Sequence, residues 1–167
     1  MACVYCQNYP ISQLGYGNPV DADTLAGMML TLQRRGAHNI NLVTAIHFMP
    51  QIVEALRVAR RNGLILPVVL NTSGYEHPAT IASLDGIIQV YLVDMRYASN
   101  SSSARYSAAP DYRDVNRLAV IEMVKQVGPL RCSSGVADEG VLIRHLLLPT
   151  LLPETRDILE FISENLT

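Results

Sequence analysis

The sequence predicts an α/β fold on a parallel sheet, and three observations predict it. Helical periodicity alternates along the chain with short runs of Val, Ile and Leu. Each run ends in polar residues. Successive runs stand about one strand-plus-helix unit apart. At 167 residues the chain has the length of one domain, so 1–167 reads as a single unit with a sizeable core.

Taken in order, the chain opens on a Cys-x-x-Cys pair, Cys3 and Cys6, and a loop carrying Asn8-Tyr9-Pro10 and Gly15-Tyr16-Gly17-Asn18-Pro19. The first helix falls over 21–35: Leu25, Met28, Met29 and Leu32 recur at three- and four-residue spacing, Asp21 or Asp23 can cap the start, and Gly36 stands at the stop. A strand over 39–44 follows. The helix over 49–62 repeats the pattern, with Pro50 in its first turn, Ile52, Val53, Leu56 and Val58 apolar, and Gly63 as the stop. Strands over 65–71, 87–94 and 141–148 alternate with helices over 78–84, 112–127 and 153–165. The four apolar runs suit strands covered on both faces, ordered in the sheet as in the sequence, with 39–44 and 141–148 as its edges. The wide gap before the last strand holds a Ser-rich insertion, 99–103, and the loop around Pro110; residues 97–103 with Arg105, Tyr106 and Asp111-Tyr112 read as a solvated loop, with contact to a substrate protein as the alternative.

Composition narrows the function. Thirteen Lys and Arg against 15 Asp and Glu give a net charge of −2, so no basic excess exists to neutralise a phosphate backbone, and nucleic acid is excluded as a partner. With 49% hydrophobic and 17% charged residues the chain is not a disordered one. No stretch combines the length and charge-free character of a membrane span, and residues 1–8 lack the pattern of a secretory signal, so a cytoplasmic protein without a membrane partner is expected. Three cysteines are too few for a disulfide framework.

The chemistry gathers at the strand ends. Thr44, then Asn71-Thr72-Ser73, then Asp94 and Arg96, then Arg144 and His145 close successive runs, and in a parallel sheet such positions converge on one rim. Any single Thr or Asn there can equally serve a local turn. For the cysteine pair, redox, metal and accidental readings stand side by side. A thioredoxin-type pair closes a strand and opens a helix, whereas here a long loop follows. A zinc site needs four ligands, and His38, His47, His77 and Cys132 show no matching spacing. The pair also fits the last two members of a Cys-x-x-x-Cys-x-x-Cys loop, whose three thiolates hold three irons of a four-iron cluster.

The segments Cys3-Val4-Tyr5-Cys6-Gln7-Asn8-Tyr9, Gly36-Ala37-His38-Asn39-Ile40-Asn41-Leu42-Val43-Thr44, Asn71-Thr72-Ser73-Gly74-Tyr75, Tyr106-Ser107 with Asp111-Tyr112, and Ile143-Arg144-His145-Leu146 resemble the radical S-adenosylmethionine proteins related to pyruvate formate-lyase activating enzyme. The resemblance implies a partial (β/α)6 TIM-like barrel of the radical S-adenosylmethionine type. It implies an iron-sulfur (4Fe-4S) cluster and reductive cleavage of S-adenosylmethionine to a 5′-deoxyadenosyl radical that abstracts hydrogen. The partners it implies are S-adenosylmethionine, a protein substrate such as a glycyl radical enzyme, and an electron donor such as flavodoxin or ferredoxin.

Residue by residue, the resemblance makes Cys3 and Cys6 the second and third cluster ligands and lays Tyr5 against the adenine. It sets Asn71, Thr72 and Ser73 near the ribose and methionine. Asp94 and Arg96 match an Asp-x-Lys pattern with Arg in place of Lys, a change of reach and geometry. Arg144 matches an arginine near the methionine carboxylate. The family's Gly-Gly-Glu segment, Thr-Pro-Thr-His in the closer subgroup, reads here Thr44-Ala45-Ile46-His47. His47 thus stands either toward the ligand or against a loop carbonyl. The first cluster cysteine of the pattern would precede Met1, and a sixth strand would follow Thr167, so the expectation is a barrel truncated at both ends. The alternative function is then a catalytically inactive fragment acting at most as a binding module. Cys132 reads as a bystander.

Overall fold

The computed structural model describes residues 1–166. Its fold is α/β, a five-stranded, mostly parallel sheet flanked by helices. The chain begins with a single helical turn, α1 (Tyr9–Ser12), and then α2 (Ala22–Arg34), whose N-cap Asp21 accepts from the Thr24 amide at 2.8 Å. Next come β1 (Ile40–Val43), a 3-10 turn (Ile46–Phe48), α3 (Met49–Arg61), β2 (Val68–Thr72), α4 (Pro78–Ala82) and β3 (Val90–Asp94). The remainder is α5 (Asn100–Ser107), α6 (Tyr112–Val127), β4 (Arg131–Ser133), β5 (Val136–Arg144) and α7 (Leu152–Asn165). The five helices expected from the sequence all form.

The strand order is β1-β2-β3-β5-β4, with β1, β2, β3 and β5 parallel as expected. Three strand boundaries differ. Residues 65–67 stay out of β2 because the Gln33 side chain takes the Ile65 and Leu66 amides, at 2.8 and 3.3 Å, and Pro67 has no N–H to offer. Residues 87–88 close a turn before β3, with the Ile87 and Ile88 amides both bonding to the Leu84 carbonyl, and Gln89 already bonds its amide to the Val68 carbonyl at 3.0 Å. The last strand starts earlier than expected and stops at Arg144, where the His145 ring meets the Met95 carbonyl oxygen at 2.6 Å and leads the chain off the sheet.

The edge at 141–148 is also not bare. The hairpin partner β4 pairs antiparallel with the start of β5, and Pro129 bridges Val141. Gly140, at φ +118, is what allows this: an added Cβ would stand 2.4 Å from the Pro129 carbonyl oxygen. Cys132 lies exposed on β4. The serine-rich insertion is not a solvated loop but the helix α5, with Ser99 as N-cap and Ser103 and Ser107 fully buried. Serine favours such a start because its hydroxyl replaces a missing backbone partner.

One face of the sheet carries the main core, and the second face is covered only in part, with Val69 and Val90 buried there. Ile40, Leu42, Val68, Leu70, Tyr91 and Val93 join residues of α2, α3, α4, α6 and α7 in one buried cluster. The alternate positions, aligned across the sheet by register, are Asn41 and Val43, Val69 and Asn71, Val90, Leu92 and Asp94, and Gly140, Leu142 and Arg144. Val43 and Leu142 among them are 46% and 44% exposed, too open for strands hidden on both sides. Among the described residues no helix is long and apolar enough to cross a membrane.

Candidate functional site

The polar ends of β2, β3 and β5 meet on one rim because parallel strands deliver their carboxyl ends to the same side. Asp94 closes β3 and is 5% exposed. Its Oδ2 accepts from Arg96 Nε at 3.1 Å and from Arg96 Nη2, and its Oδ1 accepts from Arg144 Nε at 2.6 Å. Arg144 also reaches Asn71 Oδ1 with Nη2, at 3.4 Å. Burial opposes the Arg96 charge and the Asp94 carboxylate more than restores it, so the guanidinium pKa stands above its ordinary value. Arg144 is likewise raised, by its hydrogen bond to Asp94. Both arginines therefore stay cationic around a single buried carboxylate.

The N-terminal segment lies against this rim. Ala2 and Val4 donate backbone bonds to the carbonyls of Ser107 and Tyr106, at 2.8 and 3.0 Å, which fixes the cysteine loop to the end of α5. The Cys3 sulfur then accepts from Arg96 Nη1 at 3.0 Å and from Ser107 Oγ at 3.0 Å. Tyr5 pairs its hydroxyl with that of Tyr97, which also bonds Ser107 Oγ at 2.7 Å. Cys6 contacts Ser12 Oγ at 3.5 Å. Cys3, Tyr5 and Cys6, with Ala2, Val4, Tyr9 and Gln13, line an open hollow of about 410 Å³.

The loop after β2 is pinned from behind. Tyr112, fully buried in α6, donates its hydroxyl to the carbonyls of Ser73 and Asp94, at 2.8 and 3.0 Å, and takes the Arg96 amide at 3.2 Å. Asn116 Nδ2 bonds the carbonyls of Gly74 and Asp94 at 3.2 and 3.0 Å. Gly74 sits at φ +74, where a Cβ would stand 2.1 Å from that amide nitrogen. Thr72 receives the Gly74 amide on its hydroxyl oxygen at 3.2 Å and donates the hydroxyl to Glu76 Oε1.

Of the residues singled out by sequence, Cys3, Asn71, Asp94, Arg96 and Arg144 form one connected network, with Tyr5 joined to it through Tyr97 and Ser107. Thr72 and Ser73 belong to the adjoining loop. His47 is not brought in: it stands exposed on the 3-10 turn and has no hydrogen bond to the Asp94 cluster. Thr44, just before it, adopts φ 53, a left-handed conformation uncommon outside glycine, and this turns the chain away.

Sequence reasoning missed Tyr97 and Glu76, and gave Ser107, part of the matching Tyr106-Ser107 segment, no role in the site. Ser107 and Tyr97 became visible only with α5, whose serines hid a helix. Glu76 carried one readable signal, an acid two residues beyond a strand-end Asn-Thr-Ser-Gly turn.

The thiols were tested against an iron-sulfur cluster by their donor set. Two cysteine sulfurs line one hollow, and one of them already accepts from a guanidinium and a hydroxyl. The set fits in kind and is one thiolate short of three. Among the described residues no group of three or more His, Cys, Asp and Glu side chains is placed to hold a metal ion.

No family model matches the chain. Over 98% of its length it is 28% identical to an uncharacterized protein of Methanocaldococcus jannaschii. The alignment covers 46% of that protein, so the chain spans about half the length of the curated relative it matches.

Proposed function

We propose that the chain is the core of a radical S-adenosylmethionine enzyme related to pyruvate formate-lyase activating enzyme, with its sheet forming part of a (β/α)6 barrel. One observation carries the reading: the contact of Arg96 with the Cys3 sulfur, which joins the cysteine loop to the strand-end Asp94. The face of the sheet away from the main core, with Asn71, Asp94 and Arg144 at its rim, supports the barrel, since a barrel interior is the sheet face turned from the surrounding helices.

In this proposal Cys3 and Cys6 would hold two irons of the cluster, one thiolate short of the three such a loop supplies. The chemistry such a cluster would supply when bound is one-electron reduction of the sulfonium, whose carbon–sulfur bond would break to give methionine and a 5′-deoxyadenosyl radical. The chain's own work is positioning. Arg144, cationic and half exposed, takes the methionine carboxylate. Asn71 and Thr72 flank the ribose. Tyr5 offers its ring to the adenine and closes the hollow against water. Asp94 acts indirectly by aiming both arginines. Hydrogen abstraction from a glycine of a partner protein, with a flavodoxin or ferredoxin as electron source, belongs to the same proposal.

Anaerobic reconstitution of the full-length protein with iron and sulfide tests it. The reading expects bound iron to be lost in Cys3→Ala and in Cys6→Ala and kept in Cys132→Ala. Iron retained by both N-terminal variants overturns it in favour of an inactive binding module.

A further inference from the structure

We propose that Ser107 is a positioning residue that sets the reduction potential of a cluster held at Cys3, through a hydroxyl donated to the Cys3 sulfur and strengthened by Tyr97 and Tyr5 behind it. This rests on the reading of Cys3 as a cluster ligand.

The two thiols of the loop are held differently. Cys6 meets Ser12 Oγ at 3.5 Å in an exposed contact. Cys3 is turned to the protein, where Arg96 Nη1 and Ser107 Oγ both donate to its sulfur at 3.0 Å. Backbone bonds from Ala2 and Val4 to the carbonyls of Ser107 and Tyr106 stand on either side of it and keep the last turn of α5 in place. Ser107 is fully buried and Tyr97 is 2% exposed. Arg96 also holds Asp94, so Ser107 is the donor that can be removed without breaking an ion pair.

Proton counting fixes the direction of the chain. A hydroxyl has one proton to donate. A cysteine that holds iron has none, so the Ser107 proton goes to the sulfur. Ser107 Oγ then accepts from the Tyr97 hydroxyl at 2.7 Å, and Tyr97, its own proton spent, accepts from Tyr5. Hydroxyls aligned head to tail polarise one another, so the donor at the sulfur gains from those behind it. Reduction adds one electron, drawn from the external electron carrier, and forms or breaks no bond. The added charge spreads onto the sulfurs, so a donor there is held more tightly after reduction than before, and the potential rises.

The test is a potentiometric titration of the reconstituted full-length protein and of its Ser107→Ala, Tyr97→Phe and double variants, followed by electron paramagnetic resonance of the reduced cluster. Alanine suits a helix, and phenylalanine keeps the edge-on packing of Tyr97 against Tyr112, so iron content is expected to match the parent's. Ser107→Ala is expected to lower the reduction equilibrium about tenfold, a midpoint ~59 mV more negative for a one-electron couple. Tyr97→Phe should shift the midpoint the same way by less, and the double variant should match Ser107→Ala, since the chain acts only through its last member. A Ser107→Ala midpoint at or above the parent's overturns the proposal, even with lowered melting, which then marks the hydroxyls as scaffold. A double variant in which the two shifts add overturns it too. Should Ser107→Ala take up no iron, Tyr97→Phe decides alone, and a midpoint there at or above the parent's overturns the proposal. If the parent takes up no iron, the reading of the cysteine loop fails first and the Ser107 assignment falls with it.

Discussion

Arg96 Nη1 reaches the Cys3 sulfur at 3.0 Å across 93 positions of sequence, while Nε of the same side chain holds Asp94 at 3.1 Å. One guanidinium thus ties the cysteine loop to the end of β3, and its removal leaves a nearly buried carboxylate with Arg144 alone. Arg96→Ala is expected to destabilise the fold by about 3 kcal/mol, the scale for breaking a buried ion pair. Arg96→Lys should recover part of that loss. Urea unfolding of the two variants checks both.

Arg144 should behave in the opposite way. Its side chain is 53% exposed, so water already screens its pair with Asp94. Arg144→Ala is expected to cost less than about 1 kcal/mol of stability. Affinity for S-adenosylmethionine should fall by at least about tenfold, since a charge-assisted contact to the ligand carboxylate is lost. Melting and equilibrium binding on one preparation separate the two effects.

Gly74 is fixed by conformation and by space. At φ +74, an added Cβ would meet Asn116 Nδ2 at 2.1 Å, Val93 Cγ2 at 2.9 Å and the Asp94 carbonyl oxygen at 3.0 Å. Gly74→Ala is expected to lower stability by about 3 kcal/mol, combining backbone strain with displacement of a buried amide. Gly36→Ala, at φ +80 with open space around it, should cost only about 1 kcal/mol. Thermal melting of the pair distinguishes crowding from strain.

Glu76 sets a pH signature for the ligand-free protein. Burial raises its folded-state pKa above the ordinary 4.5, so the folded state binds this proton more tightly than the unfolded state does. Its contribution is therefore most favourable below the unfolded value and is lost as pH rises through the folded one. Glu76→Gln removes that loss. The variant should melt higher than the parent at neutral pH, with the difference shrinking in acid, as scans between pH 4 and 8 would record.

Much of this architecture was legible because its signals are local. Asp21 caps α2, and the apolar spacing in 49–62 and 112–127 marks helices wherever they pack. Parallel order followed from the spacing of the runs. What escaped depended on distant partners: Gln33 strips Ile65 and Leu66 from β2, Glu154 steadies the start of α5, and Gly140 admits Pro129 beside the last strand. In the site, Cys3, Asp94, Arg96 and Arg144 could be named from motif position. The Arg96–Cys3 contact could not, because it depends on α5, and the serine run concealed that helix. His47, left open between the ligand and a loop carbonyl, stands exposed beyond the turn at Thr44 and apart from the Asp94 cluster.

The most direct measurement is release of 5′-deoxyadenosine from S-adenosylmethionine by the full-length protein, reconstituted anaerobically and reduced. The account predicts 5′-deoxyadenosine in equal amount with methionine, falling to background in Cys3→Ala and Cys6→Ala. A protein that carries its iron and sulfide yet releases none, or N-terminal cysteine variants that release as much as the parent, would contradict it.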